Sequence, residues 1–214
     1  MGPDEQYFQF LKDGDLVSAQ GVIDGCARTA GFTVGPVYHG TTSVGFTRFD
    51  LKKASVSGGF GVWFGSTVDV AQKFARHRFD GKKPGIIAAH LRLVNPKIFD
   101  GWSAFVAGME STRQHELGKM HKRLRNSLIR QNHDGVIIKG CDSDNAGERD
   151  DYAVFDVRCI KFADTVIYDD AGMVIPPTCR FVDSLDMRGD TAGRGLSLSG
   201  AFHNQTASRG QQTK

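Results

Sequence analysis

The chain changes its residue pattern after Gly35 and Pro36. From there on, short runs of β-branched, aromatic and aliphatic residues are separated by glycine-rich loops, and two amphipathic helical stretches interrupt them. The runs are residues 37–39, 61–64, 86–94, 135–138, 152–157 and 165–168. Because strands outnumber helices and do not alternate regularly with them, the pattern predicts an α+β fold with a mostly antiparallel or mixed sheet and disfavours a doubly wound one.

Capping residues and helical spacing place the predicted helices. The segment before Gly31 predicts two short helices, with Asp4 and Asp15 as N-caps and Gly31 as the stop of the second. Ser66 is the expected N-cap of a third helix. A fourth is predicted over residues 110–131, where leucines and a methionine recur at helical spacing.

The composition changes again near the C-terminus. Residues 187–214 contain four basic residues and one acidic residue, which accounts for the whole net charge of +3 and leaves residues 1–186 neutral. The segment is rich in Gly, Ser, Thr and Gln, which predicts a flexible basic tail. We therefore divide the chain into a helical lead-in (1–31), a folded domain (32–186) and this tail. A neutral domain gives no general electrostatic reason to bind nucleic acid.

Targeting and cysteine patterns predict a cytoplasmic protein without a membrane partner. No apolar run approaches the roughly 20 residues that a membrane helix needs, and the N-terminus lacks the features of a secretory signal. The cysteines are widely spaced and form no C-x-x-C motif, which favours reduced thiols over disulfides or a zinc site. They are Cys26, Cys141, Cys159 and Cys179.

Several common kinds of active site are excluded by missing motifs. The sequence contains no G-x-G-x-x-G after a strand, no P-loop and no G-x-S-x-G, which argues against Rossmann, P-loop and triad-hydrolase chemistry. His115 and Glu116 are followed by His121, but a spacing of six places the two imidazoles on different helix faces. We therefore expect no metal site.

The predicted helix over residues 110–131 is strongly basic, which leaves two interpretations open. It is either a solvated face whose long side chains cover apolar surface, or a contact for an acidic partner. The absence of interleaved aromatic residues disfavours base stacking. Its basic residues are Arg113, Lys119, Lys122, Arg123, Arg125 and Arg130, against Glu110 and Glu116.

Three pieces of the sequence place polar or aromatic groups at strand edges. The first is residues 37–41, V-Y-H-G-T, where His39 precedes a glycine that lets a planar ligand approach the backbone. The second is residues 59–75, where glycines lead into Trp63 and then into a helix with Phe74. The third is residues 150–156, D-D-Y-A-V-F-D, with carboxylates at the mouth of an apolar strand.

Together and in this order, the three pieces resemble the ADP-ribosyltransferase superfamily. The resemblance is to the histidine, tyrosine, glutamate branch of poly(ADP-ribose) polymerases and diphtheria-type toxins, and in particular to the polyvalent-protein ADP-ribosyltransferases of phages and mobile elements. Residues 133–137 (H-D-G-V-I), 151–161 and 172–188 also resemble segments of that group. The resemblance identifies residues 32–186 as an ADP-ribosyltransferase-like catalytic domain.

The resemblance implies a split, curved, mostly antiparallel sheet with flanking helices and a cleft for NAD, the co-substrate. In such a site His39 hydrogen-bonds a ribose hydroxyl, Gly40 holds the nicotinamide carboxamide through its backbone, and Phe74 stacks on the nicotinamide ring. Asp151 stabilises the cationic transition state as nicotinamide leaves. The residues so assigned are His39 and Asp151 for catalysis, and His39, Gly40, Thr41, Trp63, Phe64 and Phe74 for NAD binding.

Two positions depart from the family pattern. Asp151 stands where the family has glutamate, and the side chain is one methylene shorter. Phe74 replaces a tyrosine but keeps the stacking ring. Glu148 and Asp150 are alternative carboxylates. Since adjacent strand residues face opposite sides of a sheet, Asp150 and Asp151 are not expected in one pocket.

The function implied is that of a mono-ADP-ribosyltransferase, a pentosyl glycosyltransferase that cleaves NAD at the nicotinamide–ribose bond. The expected acceptor is a protein of a host cell, and the expected role is that of a phage-encoded or bacterial effector or toxin. Three alternatives remain open: transfer to nucleic acid, NAD hydrolysis without an acceptor, and a degenerate NAD-binding or virion module. The sequence does not predict the oligomeric state.

Overall fold

The computed structural model describes residues 1–53, 59–76, 84–108, 117–143 and 147–191. Within these ranges, seven strands form one sheet and six α-helices flank it. The strands are β1 (Val34–Thr41), β2 (Val62–Gly65), β3 (Gly85–Leu91), β4 (Lys97–Asp100), β5 (Gly135–Ser143), β6 (Gly147–Val154) and β7 (Ile160–Phe162). The helices are α1 (Pro3–Lys12), α2 (Leu16–Thr29), α3 (Val68–Arg76), α4 (Gly101–Ala107), α5 (Leu117–Arg130) and α6 (Pro177–Arg180).

The order of the strands in the sheet is β4-β5-β6-β2-β1-β3-β7. Every neighbouring pair is antiparallel except β4 and β5, which run parallel. The predicted α+β class with a mostly antiparallel sheet is therefore confirmed.

Among neighbouring strands of the sheet, β1 and β2 share the fewest paired residues in the described ranges. Within the described ranges these strands pair through one register, Tyr38 with Gly65. By contrast, β1 pairs with β3 from Val34 to Thr41, and β2 pairs with β6 along its whole length. The two halves of the sheet thus separate on either side of this junction, as expected for a split sheet. We call this junction the sheet split.

The two N-terminal helices form as predicted, except at their first cap. Asp15 caps α2, because its carboxylate accepts a hydrogen bond from the Ser18 amide, and Gly31 follows the helix with φ +84°. Asp4 does not cap α1, which begins at Pro3 after Gly2. Its carboxylate instead accepts hydrogen bonds from the amide and hydroxyl of Thr178, and so ties α1 to α6.

Helices α1 and α2 pack against residues 164–181, and we call this assembly the terminal layer. Its core joins residues that are distant in sequence, such as Tyr7, Ile23 and Phe181. The guanidinium of Arg180 is fully buried there. It donates to the carbonyls of Asp164, Thr165 and Ile175 and to the hydroxyl of Tyr7.

Two further cores cover the two faces of β2. On one face, α4 and α5 pack over β5 and β6, with Phe60, Phe105 and Val136 at the centre. On the other face, Phe64 and Leu91 belong to a core that spans both halves of the sheet. The sheet split therefore lies between well-packed regions.

Some sequence predictions differ from the structure. Residues 165–168 do not form a strand, because Tyr168 makes only an isolated bridge with Val174. Helix α3 begins at Val68, and Ser66 does not cap it. The Ser66 hydroxyl instead accepts from the amide of Asp150 on β6. The predicted helix over residues 110–131 is seen as α5, and residues 109–116 lie outside the described ranges.

The packed chain continues beyond the last helix. Met187 is buried, its amide donates to the Thr47 carbonyl, and its carbonyl accepts from the Phe162 amide. Asp190 donates its amide to Cys179. Most of the predicted tail, residues 192–214, lies outside the described ranges. In the part of the chain that the structure describes, no helix has the length and apolar character needed to cross a membrane.

Candidate active site

His39 lies on β1 where β1 and β2 separate. Its Nδ1 lies 2.7 Å from the carbonyl oxygen of Trp63, so the imidazole bridges two strands that no longer pair. A carbonyl only accepts hydrogen bonds, so Nδ1 carries the proton. Burial next to Phe49 and Phe64 lowers the pKa of His39, and the bond to Trp63 opposes this only partly. The imidazole is therefore neutral at pH 7 and its Nε2 is a hydrogen-bond acceptor.

Gly40 lies where α3 packs directly on β1. A Cβ atom at Gly40 would overlap the carbonyl oxygen of Ala71 and lie 2.9 Å from the amide nitrogen of Ala75. Packing of the helix thus requires glycine here, independently of any ligand. The neighbouring Thr41 hydroxyl donates to the carbonyl of Ser43 at 3.1 Å, so it is used within its own turn.

Trp63 and Phe64 lie on opposite faces of β2, because successive strand residues alternate. Phe64 packs in the core next to the His39 ring. The Trp63 ring stacks on Phe60 at 5.5 Å and on Trp102 at 5.4 Å between centroids. The structure therefore separates these two predicted NAD-binding residues.

Phe74 is 58% exposed on α3. Its helical neighbours Val70, Ala71 and Ala75 are buried and hold α3 on the sheet. The Phe74 ring is thus not needed for packing the helix, and it lies within one turn of the residues that contact Gly40. An exposed aromatic ring at this place is available to stack on a planar ligand.

Asp151 lies on β6 beside Gly65 of β2 and is 6% exposed. Its Oδ2 accepts a hydrogen bond from Trp102 Nε1 at 2.9 Å, and its Oδ1 lies 3.4 Å from Arg149 Nε. A Cβ atom at Gly65 would be 3.5 Å from both Asp151 Oδ1 and Val70 of α3. The carboxylate therefore lies on the face of the sheet that α3 covers.

A thiol adds to the surroundings of this carboxylate. Burial, together with the charge of Asp151, raises the pKa of Cys141 to about 12. The thiol thus stays protonated at neutral pH. It donates to the carbonyl of Ile138 at 3.4 Å and is no nucleophile.

Asp150 points to the opposite face, as expected from strand alternation. Its carboxylate accepts from Lys139 Nζ at 2.7 Å and from the Tyr152 hydroxyl at 3.4 Å. Burial and the charge of Asp150 raise the pKa of Tyr152 to about 12. With Asp100, Asp150 lines an open cavity of about 460 Å³. The backbone of Glu148, the third candidate, pairs with that of Asp142 on β5.

Four chemical elements lie near the sheet split, on both faces of the sheet: the His39 ring is beside Phe64, whereas the Asp151 carboxylate is on the face that α3 covers. They are a neutral imidazole acceptor, a backbone without a side chain, an exposed aromatic ring and a buried carboxylate. Such a set suits a ligand that carries hydroxyl groups, a planar ring and a positive charge.

Comparison with protein families identifies a matching family. A family model described as "ADP-Ribosyltransferase in polyvalent proteins" matches residues 34–167, which is more than half of the chain. The chain belongs to this ADP-ribosyltransferase family. No match was found among curated proteins or among solved structures. ADP-ribosyltransferases typically use NAD as substrate. Membership of this family supports ADP-ribosyl transfer as the general type of reaction.

The region matched to the ADP-ribosyltransferase family contains all seven strands and all the predicted site residues. It begins at the first residue of β1 and ends at Ile167. Helices α1, α2 and α6 lie outside it, although they pack on the matched region as the terminal layer. The resemblance stated from the sequence is thus confirmed at the level of the family. The roles assigned to individual residues stay predictions.

One part of the resemblance has a structural explanation. Asp134 accepts hydrogen bonds from the amides of Val94 and Asn95, and so joins the loop after β3 to the start of β5. A Cβ atom at Gly135 would lie 2.5 Å from the carbonyl oxygen of Ala153. These two residues of the H-D-G-V-I segment therefore serve the packing of the sheet.

Sequence reasoning missed two residues that contact Asp151. Trp102 belongs to α4, which the pattern did not predict, and lies 49 positions from Asp151 in sequence. Arg149 precedes Asp151 by two residues on β6, so strand periodicity alone places both side chains on one face. The two-residue period of a strand could therefore have placed Arg149 beside Asp151. No sequence signal pointed to Trp102.

Proposed function

We propose that the protein is a mono-ADP-ribosyltransferase that transfers ADP-ribose from NAD to a protein acceptor. The observation that carries the proposal is the state of His39. Because Nδ1 is bonded to the Trp63 carbonyl, Nε2 is an acceptor suited to a ribose hydroxyl. The match to an ADP-ribosyltransferase family over the region that contains His39 supports NAD as the source of that ribose.

In the proposed reaction, a nucleophile of the acceptor forms a bond to C1′ of the nicotinamide ribose. The C1′–N bond breaks, its electron pair leaves with neutral nicotinamide, and the proton of the nucleophile is released. Positive charge develops on the ribose in the transition state, and the carboxylate of Asp151 stabilises it. His39 fixes a ribose hydroxyl, the Gly40 backbone holds the carboxamide, and the exposed Phe74 ring stacks on the nicotinamide.

The acceptor and setting are part of the same proposal. The neutral charge of residues 1–186 favours a protein acceptor over nucleic acid. We further propose that the protein acts in the cytoplasm of a bacterium or its host as an effector. The second candidate is a nucleic-acid acceptor. It is favoured by α5, which has five basic residues, Lys119, Lys122, Arg123, Arg125 and Arg130, and no acidic one.

The experiment is incubation of the purified chain with labelled NAD and a bacterial lysate, followed by mass spectrometry of labelled species. The same is done with His39→Ala and Asp151→Ala. Arg158→Gln is the control, because Arg158 is half exposed and pairs with Asp156 away from the site. Labelled protein that disappears in the first two variants and persists in the control supports the proposal. Labelled nucleic acid supports the second candidate, and absence of both label and free nicotinamide contradicts transferase activity.

A further inference from the structure

Two side chains from different elements contact the carboxylate of Asp151. Trp102, at the start of α4, donates its indole N–H to Oδ2 at 2.9 Å. Arg149, on the same strand as Asp151, places Nε 3.4 Å from Oδ1. The side chains of Arg149 and Asp151 are 13% and 8% exposed, so the ion pair is shielded from solvent. Each carboxylate oxygen thus has one donor of its own.

The indole of Trp102 is itself held by aromatic contacts. It stacks on Trp63 with an interplanar angle of 25° and meets the ring of Phe105 edge-on at 5.2 Å. Phe105 is fully buried and packs against Phe60 and Phe99 as well. The direction of the indole N–H is therefore fixed by the packing of α4 on the sheet.

We propose that Trp102 and Arg149 are positioning residues for Asp151. The inference rests on the proposed function, in which Asp151 acts on the ribose of NAD. A carboxylate rotates about its Cβ–Cγ bond, and two donors on opposite oxygens fix that rotation. Each oxygen has two lone-pair directions, so one donor on each leaves capacity for the ribose. Because a misplacement of about 1 Å can cost on the order of 100-fold in rate, the short aspartate needs such support.

The same contacts also fit a different role, in which the indole covers Asp151 and competes with NAD. The two roles predict opposite kinetics. A positioning residue acts on the chemical step, so its loss lowers kcat and leaves KM for NAD almost unchanged. A competing side chain blocks binding, so its loss lowers KM for NAD. The contacts to two separate oxygens, one of them from Arg149 on the same strand, favour positioning.

The test measures nicotinamide release from NAD by the full chain and its variants. Trp102→Phe keeps an aromatic ring and removes the indole N–H, and Arg149→Lys keeps the charge and removes the Nε donor. We expect kcat to fall about tenfold in each, with KM for NAD within about twofold. Trp102→Phe added to Asp151→Asn should cause a much smaller further loss, because the carboxylate that it positions is gone. Arg158→Gln is the control, and circular dichroism checks the fold.

Each result bears on a separate claim. Unchanged kcat in both Trp102→Phe and Arg149→Lys overturns the positioning role, as does a decrease in KM for NAD in Trp102→Phe. If Asp151→Asn itself keeps full activity, the role of Asp151 in the proposed function fails. If Asp151→Asn is inactive while both other variants are fully active, only the positioning inference fails.

Discussion

The terminal layer and the sheet split both bury polar side chains, but they leave them in different states. In the terminal layer, all the hydrogen bonds of the Arg180 guanidinium go to groups of the same layer, three carbonyls and the Tyr7 hydroxyl. At the sheet split, Nδ1 of His39 donates to the carbonyl of Trp63. No hydrogen bond among the described residues involves Nε2 of His39. Phe74 nearby is largely exposed.

The difference separates groups that stabilise the fold from groups that remain able to bind. A buried polar group with all its partners inside the protein contributes to stability and specificity of the fold. A group with an unused hydrogen-bonding atom is better suited to binding a ligand. We therefore expect substitutions in the terminal layer to change stability, and substitutions at the sheet split to change NAD turnover.

The largest expected effect is on stability, in Arg180→Leu. The variant removes the donor to the Asp164 and Ile175 carbonyls and to the Tyr7 hydroxyl, while the Thr165 carbonyl keeps its bond from Tyr7. We therefore expect the free energy of unfolding to fall by about 4 kcal/mol. Urea denaturation followed by circular dichroism measures it. Arg158→Gln, which removes an arginine from an exposed ion pair, should leave the midpoint unchanged. Equal stability of the two variants would contradict the role given to Arg180.

The second effect is on both stability and turnover, because Gly40→Ala changes the packing of α3 at the sheet split. The added methyl group overlaps the Ala71 carbonyl and must push α3 away from β1. We expect a loss of about 2 kcal/mol in the free energy of unfolding and a fall in nicotinamide release of at least tenfold. Gly25→Ala is the control and should not destabilise, since nothing lies within 4 Å of a Cβ there and its φ is not positive. Full turnover in Gly40→Ala would show that the position of α3 does not matter for the reaction.

The third effect is confined to the site. Phe74→Ala removes an exposed ring, so the free energy of unfolding should change by less than about 0.5 kcal/mol. If the ring stacks on nicotinamide, KM for NAD should rise about fivefold while Phe74→Tyr, which keeps the ring, retains the original value. Steady-state kinetics on the three proteins decides this. An unchanged KM in Phe74→Ala would remove Phe74 from the site.

The smallest effect concerns pH. Burial lowers the pKa of His39 and of His90, which lies 3.3 Å from Asp24. Below the ordinary histidine value of about 6.5, the unfolded chain binds protons that the folded chain does not, so stability falls as pH decreases. We expect a lower free energy of unfolding at pH 5.5 than at pH 7.5, and a smaller difference in His39→Phe. Stability that increases towards pH 5.5 would contradict the direction of these shifts.

Much of the fold could be predicted from the sequence because its strands are apolar and the loops between them are rich in glycine. The runs that predicted β1, β2, β3, β5 and β6 all contain buried residues. Strand β4 was missed because none of its four residues is buried, so the hydrophobic pattern carries no information there. Helix α4 was missed because it has seven residues and exposes Trp102 and Val106.

The site was predictable only in part, and for a physical reason. Residues within one strand, such as His39 with Gly40, keep their spacing in the fold, so a motif can identify them. The sequence also predicted that Asp150 and Asp151 face opposite sides, since strand alternation is local. It did not predict that Trp102 would reach Asp151, because that contact depends on how a short helix packs over the sheet. Contacts of this kind are tertiary and leave no local pattern.

We propose that the chemistry depends on the carboxylate of Asp151, which lies on the face of the sheet that α3 covers. Asp150 and Asp151 are adjacent carboxylates on opposite faces, so Asp150→Asn and Asp151→Asn are matched variants. The most direct measurement is nicotinamide release from NAD by the wild-type chain and by these two. We predict that Asp151→Asn loses at least 100-fold in kcat while Asp150→Asn stays within about threefold of wild type. Loss of turnover in Asp150→Asn with full activity in Asp151→Asn would contradict the account.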